Sequence, residues 1–226
     1  MAAAQEPATA TRDLVGWALQ SPLRASGRLT DAVARQVVAT ALGVEEAALA
    51  GVDGTALHTA LDRLRSLVAY CDKLVSEATF DDLTGALRRG AGMAALGREL
   101  DRARRSGGTL VVAFLDVDGL KAVNDREGHA AGDDLLRAVV VSVRDRIRSY
   151  DLVFRYGGDE FVAVLVAATV AQAEHTIADI GSSVTRRTRD GSFSAGIVQA
   201  VDGDTPETVV ARADAELYAL RAAAVG

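Results

Sequence analysis

The sequence predicts an α/β chain of the α+β sandwich kind: a mixed sheet with helices on its faces, preceded by an all-helical region. Three observations carry this. Beyond Thr79, short apolar runs alternate with helical patterns in the order αβααββαβα. Two of those runs, Leu152–Phe154 and Phe161–Val166, are separated by Arg155-Tyr156-Gly157-Gly158-Asp159-Glu160, which reads as a β-hairpin. Ahead of Thr79 the apolar residues follow helical spacing alone.

Composition bounds the class. A chain of 226 residues holds one large domain, or a medium domain and a small one. With 49% hydrophobic and 25% charged residues, it is globular. A net charge of −6 argues against a broad basic surface for a nucleic-acid polymer, while a local basic pocket for phosphates stays open. The single cysteine, Cys71, excludes a disulfide framework or a Cys-based metal cluster. No apolar run reaches the roughly 18 residues of a membrane span. Met1 to Arg12 lacks the basic start and apolar centre of a signal peptide, so a cytoplasmic location is expected.

Taken in order, Met1 to Thr11 is Ala/Thr/Pro-rich and reads as disordered. Asp13 to about Leu19, with Trp17, reads as a short helix ended by Ser21-Pro22. From Thr30, Val33, Val37, Val38, Ala41 and Leu42 predict a helix that stops at Gly43. Glu45 to Ala50 reads as a short helical turn and Gly51 to Gly54 as a loop. Then Leu57, Leu61, Leu64, Val68, Cys71, Val75 and Ala78 alternate steps of four and three. This is either an amphipathic helix packed on its own domain or a parallel dimeric coiled coil leading into the next one. Asp81-Asp82-Leu83-Thr84-Gly85 breaks the seam as a turn and helix cap. A boundary near Thr79 gives a helical regulatory or dimerisation region over 1–78, its coiled-coil helix at about 55–78, and a second domain over 79–226.

In the second domain a helix runs from about Ala91 to Arg105 and ends at Gly107-Gly108. Thr109 to Leu115 is apolar throughout, as in a strand buried on both faces, and it ends in Asp116-Val117-Asp118-Gly119. Leu120 to Glu127 reads as a short helix or turn. Gly128 to Asp133 reads as a loop in which His129 bonds loop to core, followed by a helix from about Asp133 to Arg148. After the hairpin come a helix over Val170 to Arg187 and a strand over Ser192 to Val201 with Gly196 inside it. A last helix is opened by Thr205-Pro206-Glu207.

The acids carry the chemistry. Asp116 and Asp118 share one strand face, and at the end of a buried strand they need a neutralising cation or serve as helix caps. All-oxygen ligation fits Mg²⁺. Asp159 and Glu160 follow the Gly157-Gly158 turn, on opposite faces of their strand. The glycines are expected to supply φ > 0 and to leave room for a bulky ligand. If the hairpin lies beside the Thr109–Leu115 strand, three or four carboxylates converge at one sheet edge, a constellation suited to metal-dependent nucleotidyl transfer. Lys121 can meet phosphate charge, and Asn124 with Asp133 can read a guanine edge.

Arg155 to Phe161 resembles the signature of the GGDEF-domain diguanylate cyclases. The likeness extends from Asp81 to the C-terminus. Asp82-Leu-Thr-Gly85 looks like the family's entry motif. Asp116-Val-Asp118-x-x-Lys121-x-x-Asn124-Asp125-x-x-Gly128-His129-x-x-Gly132-Asp133 matches its longest motif, with Leu120 where an aromatic is usual. Ser194-Ala-Gly196-Ile197 and Arg212-Ala-Asp214-x-x-x-Tyr218 are similar to its last two.

The resemblance implies a palm-like, nucleotide cyclase-like sheet and condensation of two GTP into cyclic di-GMP and pyrophosphate. It implies Mg²⁺ or Mn²⁺ held by Asp116, the Val117 carbonyl, Asp159 and Glu160. One of the two hairpin acids would help deprotonate the ribose 3′-hydroxyl, and Lys121 would contact the triphosphate. The substrate site would comprise Leu120, Asn124, Asp133, Gly157, Gly158 and Arg221. Each domain would hold one GTP, so product forms across a homodimer, which the seam would supply. Arg148-Ser-Tyr-Asp151 matches the family's RxxD inhibitory site for product feedback.

Two departures stand out. Arg221 replaces the usual Lys after the Tyr motif, and Val225 stands where an Arg is expected. The alternative to an active cyclase is a catalytically weak or inactive module that senses GTP or cyclic di-GMP.

Overall fold

The computed structural model describes residues 30–188 and 191–225. The readings made for Met1 to Thr11 and Asp13 to Leu19 lie outside the described residues. The chain divides into two compact units, between Val75 and Ser76.

In the first unit, α1 (Asp31–Leu42) ends where Gly43 takes a left-handed φ of 68°. A 3₁₀ turn follows at Glu46–Leu49. α2 (Gly54–Thr79) is one continuous helix that runs past the division into the second unit. Its seam splits in two. Leu57 and Leu61 are each 1% exposed and pack with Ala34, Val37 and Val38 of α1. Further along, Cys71, Val75 and Ala78 of the seam are exposed, and so are Leu67, Tyr70 and Leu74 beside it. The amphipathic reading therefore holds for the first two turns, where α1 covers the stripe.

The second unit is a five-stranded sheet in the order β1-β3-β4-β2-β5. β1 (Leu87–Arg88) leads into α3 (Arg89–Ser106). β2 (Leu110–Val117) is followed by α4 (Leu120–Glu127) and α5 (His129–Arg144). β3 (Leu152–Arg155) and β4 (Glu160–Val166) form the hairpin. α6 (Val170–Arg187), β5 (Phe193–Gln199) and α7 (Pro206–Val225) complete it. β2 lies between β4 and β5, antiparallel to both, while β1 runs parallel to β3.

Period two sorts the core into two layers. Ala113, Leu115, Val117, Phe161 and Ala163 face α5 and α6, meeting Leu136, Val139, Ile180 and Val184. Val112, Phe114, Val162 and Val164 face α3 and α7, meeting Leu96, Leu100, Val210 and Leu217. No helix among the described residues is long and apolar enough to cross a membrane.

Three local expectations are corrected. The two-residue β1 stands between the Asp81–Gly85 turn and the next helix, where no strand was expected, because Leu87 and Arg88 pair with Phe154 and Arg155. α5 begins at His129 and ends at Arg144, four residues ahead of the expected span at both ends. Gly128, at φ 86°, ends α4 and permits an immediate restart. His129 consequently sits exposed on the first turn of α5 and does not bond loop to core.

Gly196 shows how closely α7 lies on β5. A Cβ there would stand 2.1 Å from the Ala213 carbonyl oxygen and 2.4 Å from the Leu217 nitrogen. Backbone cannot yield as a side chain can, so Gly196→Ala is expected to cost about 2 kcal/mol through overpacking. The shift in urea midpoint at constant slope measures it.

Candidate active site

The antiparallel register places Asp116 of β2 directly opposite Glu160 of β4. Both carry even numbers, so they share the face of Val112, Phe114, Val162 and Val164, the face covered by α3 and α7. Asp159, one residue earlier, is the last residue of the turn. Its carbonyl accepts the Val117 amide at 3.0 Å. The N–H and C=O of one strand residue point to the same neighbour, so the Val117 carbonyl is directed to the hairpin side.

The crowding of carboxylates is visible in Glu160. Burial pushes its pKa up, and Asp116, Asp159 and Asp214 push it further, against the opposing charge of Arg89. Arg89, first residue of α3, lies 4.0 Å over the Tyr156 ring and donates to its hydroxyl at 2.9 Å. On α7, Asp214, Tyr218 and Arg221 follow at four and three residues and lie on one helical face. Arg221 donates from Nη2 to Asp116 at 2.5 Å and to Asp118 at 2.9 Å. Asp118 is held in turn by the hydroxyls of Ser192 at 2.9 Å and Ser194 at 2.8 Å. The two β2 acids thus lie on one face, as their spacing implied.

Among the described residues, no three acidic, imidazole or thiol groups stand close enough together to enclose a metal ion as they are placed. The donors fit a hard divalent cation in kind: they are oxygens only, and Glu160 is held up by burial and by the negative charges of Asp116, Asp159 and Asp214. Arg221 now supplies part of that compensation.

The hairpin glycines behave differently from expectation. Neither Gly157 nor Gly158 has a positive φ. The connection is four residues long, Tyr156 to Asp159, and the Tyr156 and Gly157 amides both reach the Glu160 carbonyl, at 2.8 and 3.2 Å. At Gly157 the Glu160 carboxylate folds back over the backbone, and a Cβ there would meet Oε2 at 2.1 Å and displace it. At Gly158 a Cβ would meet only open space.

A clamp that the sequence did not disclose holds this tip. Arg155 donates to the carbonyls of Gly157 and Gly158 from Nε, both at 3.2 Å, and again to Gly158 from Nη2 at 2.5 Å. Its Nη1 reaches Asp81 at 3.0 Å. Asp81 also accepts the Thr84 amide at 3.0 Å and hydroxyl at 2.7 Å. The working acid of the entry turn is thus Asp81; the neighbouring Asp82 pairs with Arg88. Burial raises the Asp81 pKa, but the Thr84 bonds and the Arg155 charge outweigh it and hold the carboxyl below its ordinary value.

The remaining candidates lie elsewhere. Lys121 is exposed on α4. Asn124 abuts Gly132, where a Cβ would meet its Oδ1 at 2.1 Å, and Leu120 closes on the same glycine. Asp133 follows on α5, so the α4–α5 junction gathers Leu120, Asn124 and Asp133. Asp151 accepts the Arg148 amide at 2.8 Å and the Val166 amide at 2.9 Å, which occupies both its oxygens with backbone. The Arg148 side chain is exposed and donates to the Tyr150 hydroxyl at 2.7 Å.

Sequence reasoning missed Asp81, Arg89, Arg155 and Asp214 as site residues. The four-and-three spacing of Asp214, Tyr218 and Arg221 was the available signal for the α7 face.

An acid edge on a palm-like mixed sheet with helices on its faces defines the nucleotide cyclase class. Residues 78–225 match the family described as "Diguanylate cyclase, GGDEF domain", and the chain belongs to it. It is 32% identical over 173 residues to diguanylate cyclase DgcP of Pseudomonas aeruginosa, covering 74% of this chain and 24% of that one. The coiled coil and GGDEF domain of DgcB from Caulobacter crescentus, solved with c-di-GMP, superposes with a TM-score of 0.70 at 27% identity, covering 75% of this chain and 94% of that one. Diguanylate cyclase SiaD of Pseudomonas aeruginosa, solved with its activator SiaC, gives 0.60 at 27% identity and covers 95% of this chain and 96% of that one. The chain spans about a quarter of the length of DgcP.

The Asp81 clamp yields an expectation with a pH signature. Asp81→Asn removes the charge that Arg155 and Thr84 favour and is expected to cost about 1 kcal/mol at neutral pH. A lowered carboxyl contributes stability that is complete above its unfolded pKa, about 3.9, and lost as pH falls through the lower folded value. Urea melts of both forms should therefore differ at pH 7 and converge below about pH 4.

Proposed function

We propose that the chain is a diguanylate cyclase that condenses two GTP into cyclic di-GMP with release of pyrophosphate, across a homodimer. The observation that carries this reading is the Asp116–Glu160 pairing, which sets the acids of two separate family motifs opposite each other on one face. The family match supports the reaction, and the cyclic di-GMP in the DgcB complex supports the product.

In this reading Asp116, the Val117 carbonyl, Asp159 and Glu160 hold Mg²⁺ or Mn²⁺. The cation's chemistry is to screen the triphosphate and to make the ribose 3′-hydroxyl more acidic. Glu160 or Asp159 accepts that proton. The open space at Gly158 admits the nucleotide. Asn124 and Asp133 offer the amide and carboxylate that guanine's edge requires, with Leu120 as an apolar wall. Lys121 and Arg221 meet phosphate charge.

The organisation follows from the same reading. Residues 1–78 form a regulatory and dimerisation region, helical over Asp31–Leu42 and Gly54–Thr79, and residues 79–226 the cytoplasmic catalytic domain. The exposed stripe Leu67, Leu74 and Val75 pairs with a second copy as a parallel coiled coil. Arg148 and Asp151 bind product and restrain the enzyme. The two line one groove of about 430 Å³ with Arg144 and Leu152.

The test is incubation of the purified chain with GTP and Mg²⁺, with chromatographic separation of nucleotides. Cyclic di-GMP that rises faster than linearly with protein concentration is the expected result. Nucleotide that binds without turnover would favour the sensing module instead. Glu160→Gln is expected to lower the rate by at least about 100-fold with the thermal midpoint little changed. Arg148→Ala is expected to leave the initial rate intact and weaken inhibition by added cyclic di-GMP. An inhibition curve identical to wild type would remove the feedback role.

A further inference from the structure

Arg221 stands between the two β2 acids. Its Nη2 is 2.5 Å from Asp116 and 2.9 Å from Asp118. The contacts are unequal in kind. Asp118 is fixed by two serine hydroxyls, and its own amide donates to the Ser192 carbonyl at 3.0 Å. Asp116 is the acid that faces Glu160 across the ladder and contributes to raising its pKa. Arg221 is therefore anchored on one side to a carboxylate with its own supports. On the other it reaches the carboxylate at the centre of the acid cluster.

The guanidinium is also displaceable. Its side chain is 42% exposed, and it comes from the end of a helix whose apolar stripe, Val209, Val210, Ala213 and Leu217, holds the helix independently of the ion pair. A half-exposed ion pair of this kind is modest in strength. The same guanidinium fork binds phosphate as readily as carboxylate.

We propose that Arg221 is an internal counter-ion of the acid cluster, competing with a divalent cation for Asp116 until nucleotide phosphate draws it away. This rests on the metal and nucleotide reading above and adds a coupling to it. Cation alone meets a site whose Asp116 is already paired. Cation with nucleotide meets a site from which Arg221 has been recruited, with Asp118 as the post from which it moves. Each ligand then strengthens the other by the same factor, as linkage requires. The Arg for Lys replacement matters here, because Nη2 alone meets both carboxylates and the rest of the planar fork carries further donors for phosphate, whereas an ammonium is a single point of charge.

The experiment is Mn²⁺ titration of the full chain followed by electron paramagnetic resonance, with and without a non-hydrolysable GTP analogue. Without nucleotide, Arg221→Ala is expected to bind Mn²⁺ about tenfold more tightly than wild type, the effect of removing one adjacent positive charge. Arg221→Lys should fall between them. The analogue should tighten Mn²⁺ binding strongly in wild type and much less in Arg221→Ala. Asp116→Asn should abolish the gain in either background. Mn²⁺ affinity in Arg221→Ala equal to or below wild type, with Asp116→Asn still lowering it, would overturn the counter-ion role and leave the metal site standing. Mn²⁺ binding indifferent to Asp116→Asn would overturn both.

Discussion

The antiparallel pairing of β2 with β4 is the constraint on which the site depends. Each strand has a side-chain period of two, so a register slip of one residue would send Asp116 or Glu160 to the opposite face. The apolar residues decide the register. Val112 and Phe114 must lie with Val162 and Val164 under α3 and α7, and the acids at the strand ends inherit that face. Like charges directly opposite on a sheet repel. The core thus imposes an electrostatic cost at its own edge, where burial first and the charge of Asp116 second push the pKa of Glu160 up. The helices that cover the apolar stripe bring the offsetting charge, Arg89 from the start of α3 and Arg221 from the end of α7.

The hairpin tip depends on a second device. Its backbone carbonyls at Gly157 and Gly158 point to one guanidinium, Arg155, which a buried turn holds through Asp81 and Thr84. The tip is thereby tied to the turn that follows α2 and is fixed by donors rather than by an intrinsic turn conformation. This also explains why the glycines are not in the left-handed region. Gly157 makes room for the Glu160 carboxylate, a steric fit that looks identical in sequence to a need for positive φ.

Much of the second unit was legible in the sequence because its signals are local. Val170 to Arg187 is bounded by a Thr169–Gln172 capping box and carries Ala173, Ile177 and Ile180 at helical spacing, so its limits can be read directly. The β2 run is apolar because both faces are buried, and its acids fall where burial ends. What could not be read is non-local. β1 exists only because Leu87 and Arg88 find Phe154 and Arg155, more than sixty residues away. The start of α5 was hidden because Gly132, a helix breaker by propensity, sits inside it to admit the Asn124 side chain. The pairing of Arg155 with Asp81 spans 74 residues and leaves no trace in either motif taken alone.

α2 shows the same limit in another form. Its four-and-three seam is uniform from Leu57 to Ala78, so periodicity assigns one fate to the whole stripe. The structure divides it. α1 and the loop before α2 close over Leu57 and Leu61, aided by Val52 and Leu49, while Cys71, Val75 and Ala78 of the seam, and Leu67 and Leu74 beside it, are exposed in the single chain. A helix gains most of its stability from packing an apolar face rather than from propensity. The closed half therefore has its partner within the chain, and the open half needs one from outside, which is the role the proposed homodimer assigns to a second copy. The two readings that the heptad pattern left open need not compete, because each describes a different half of one helix.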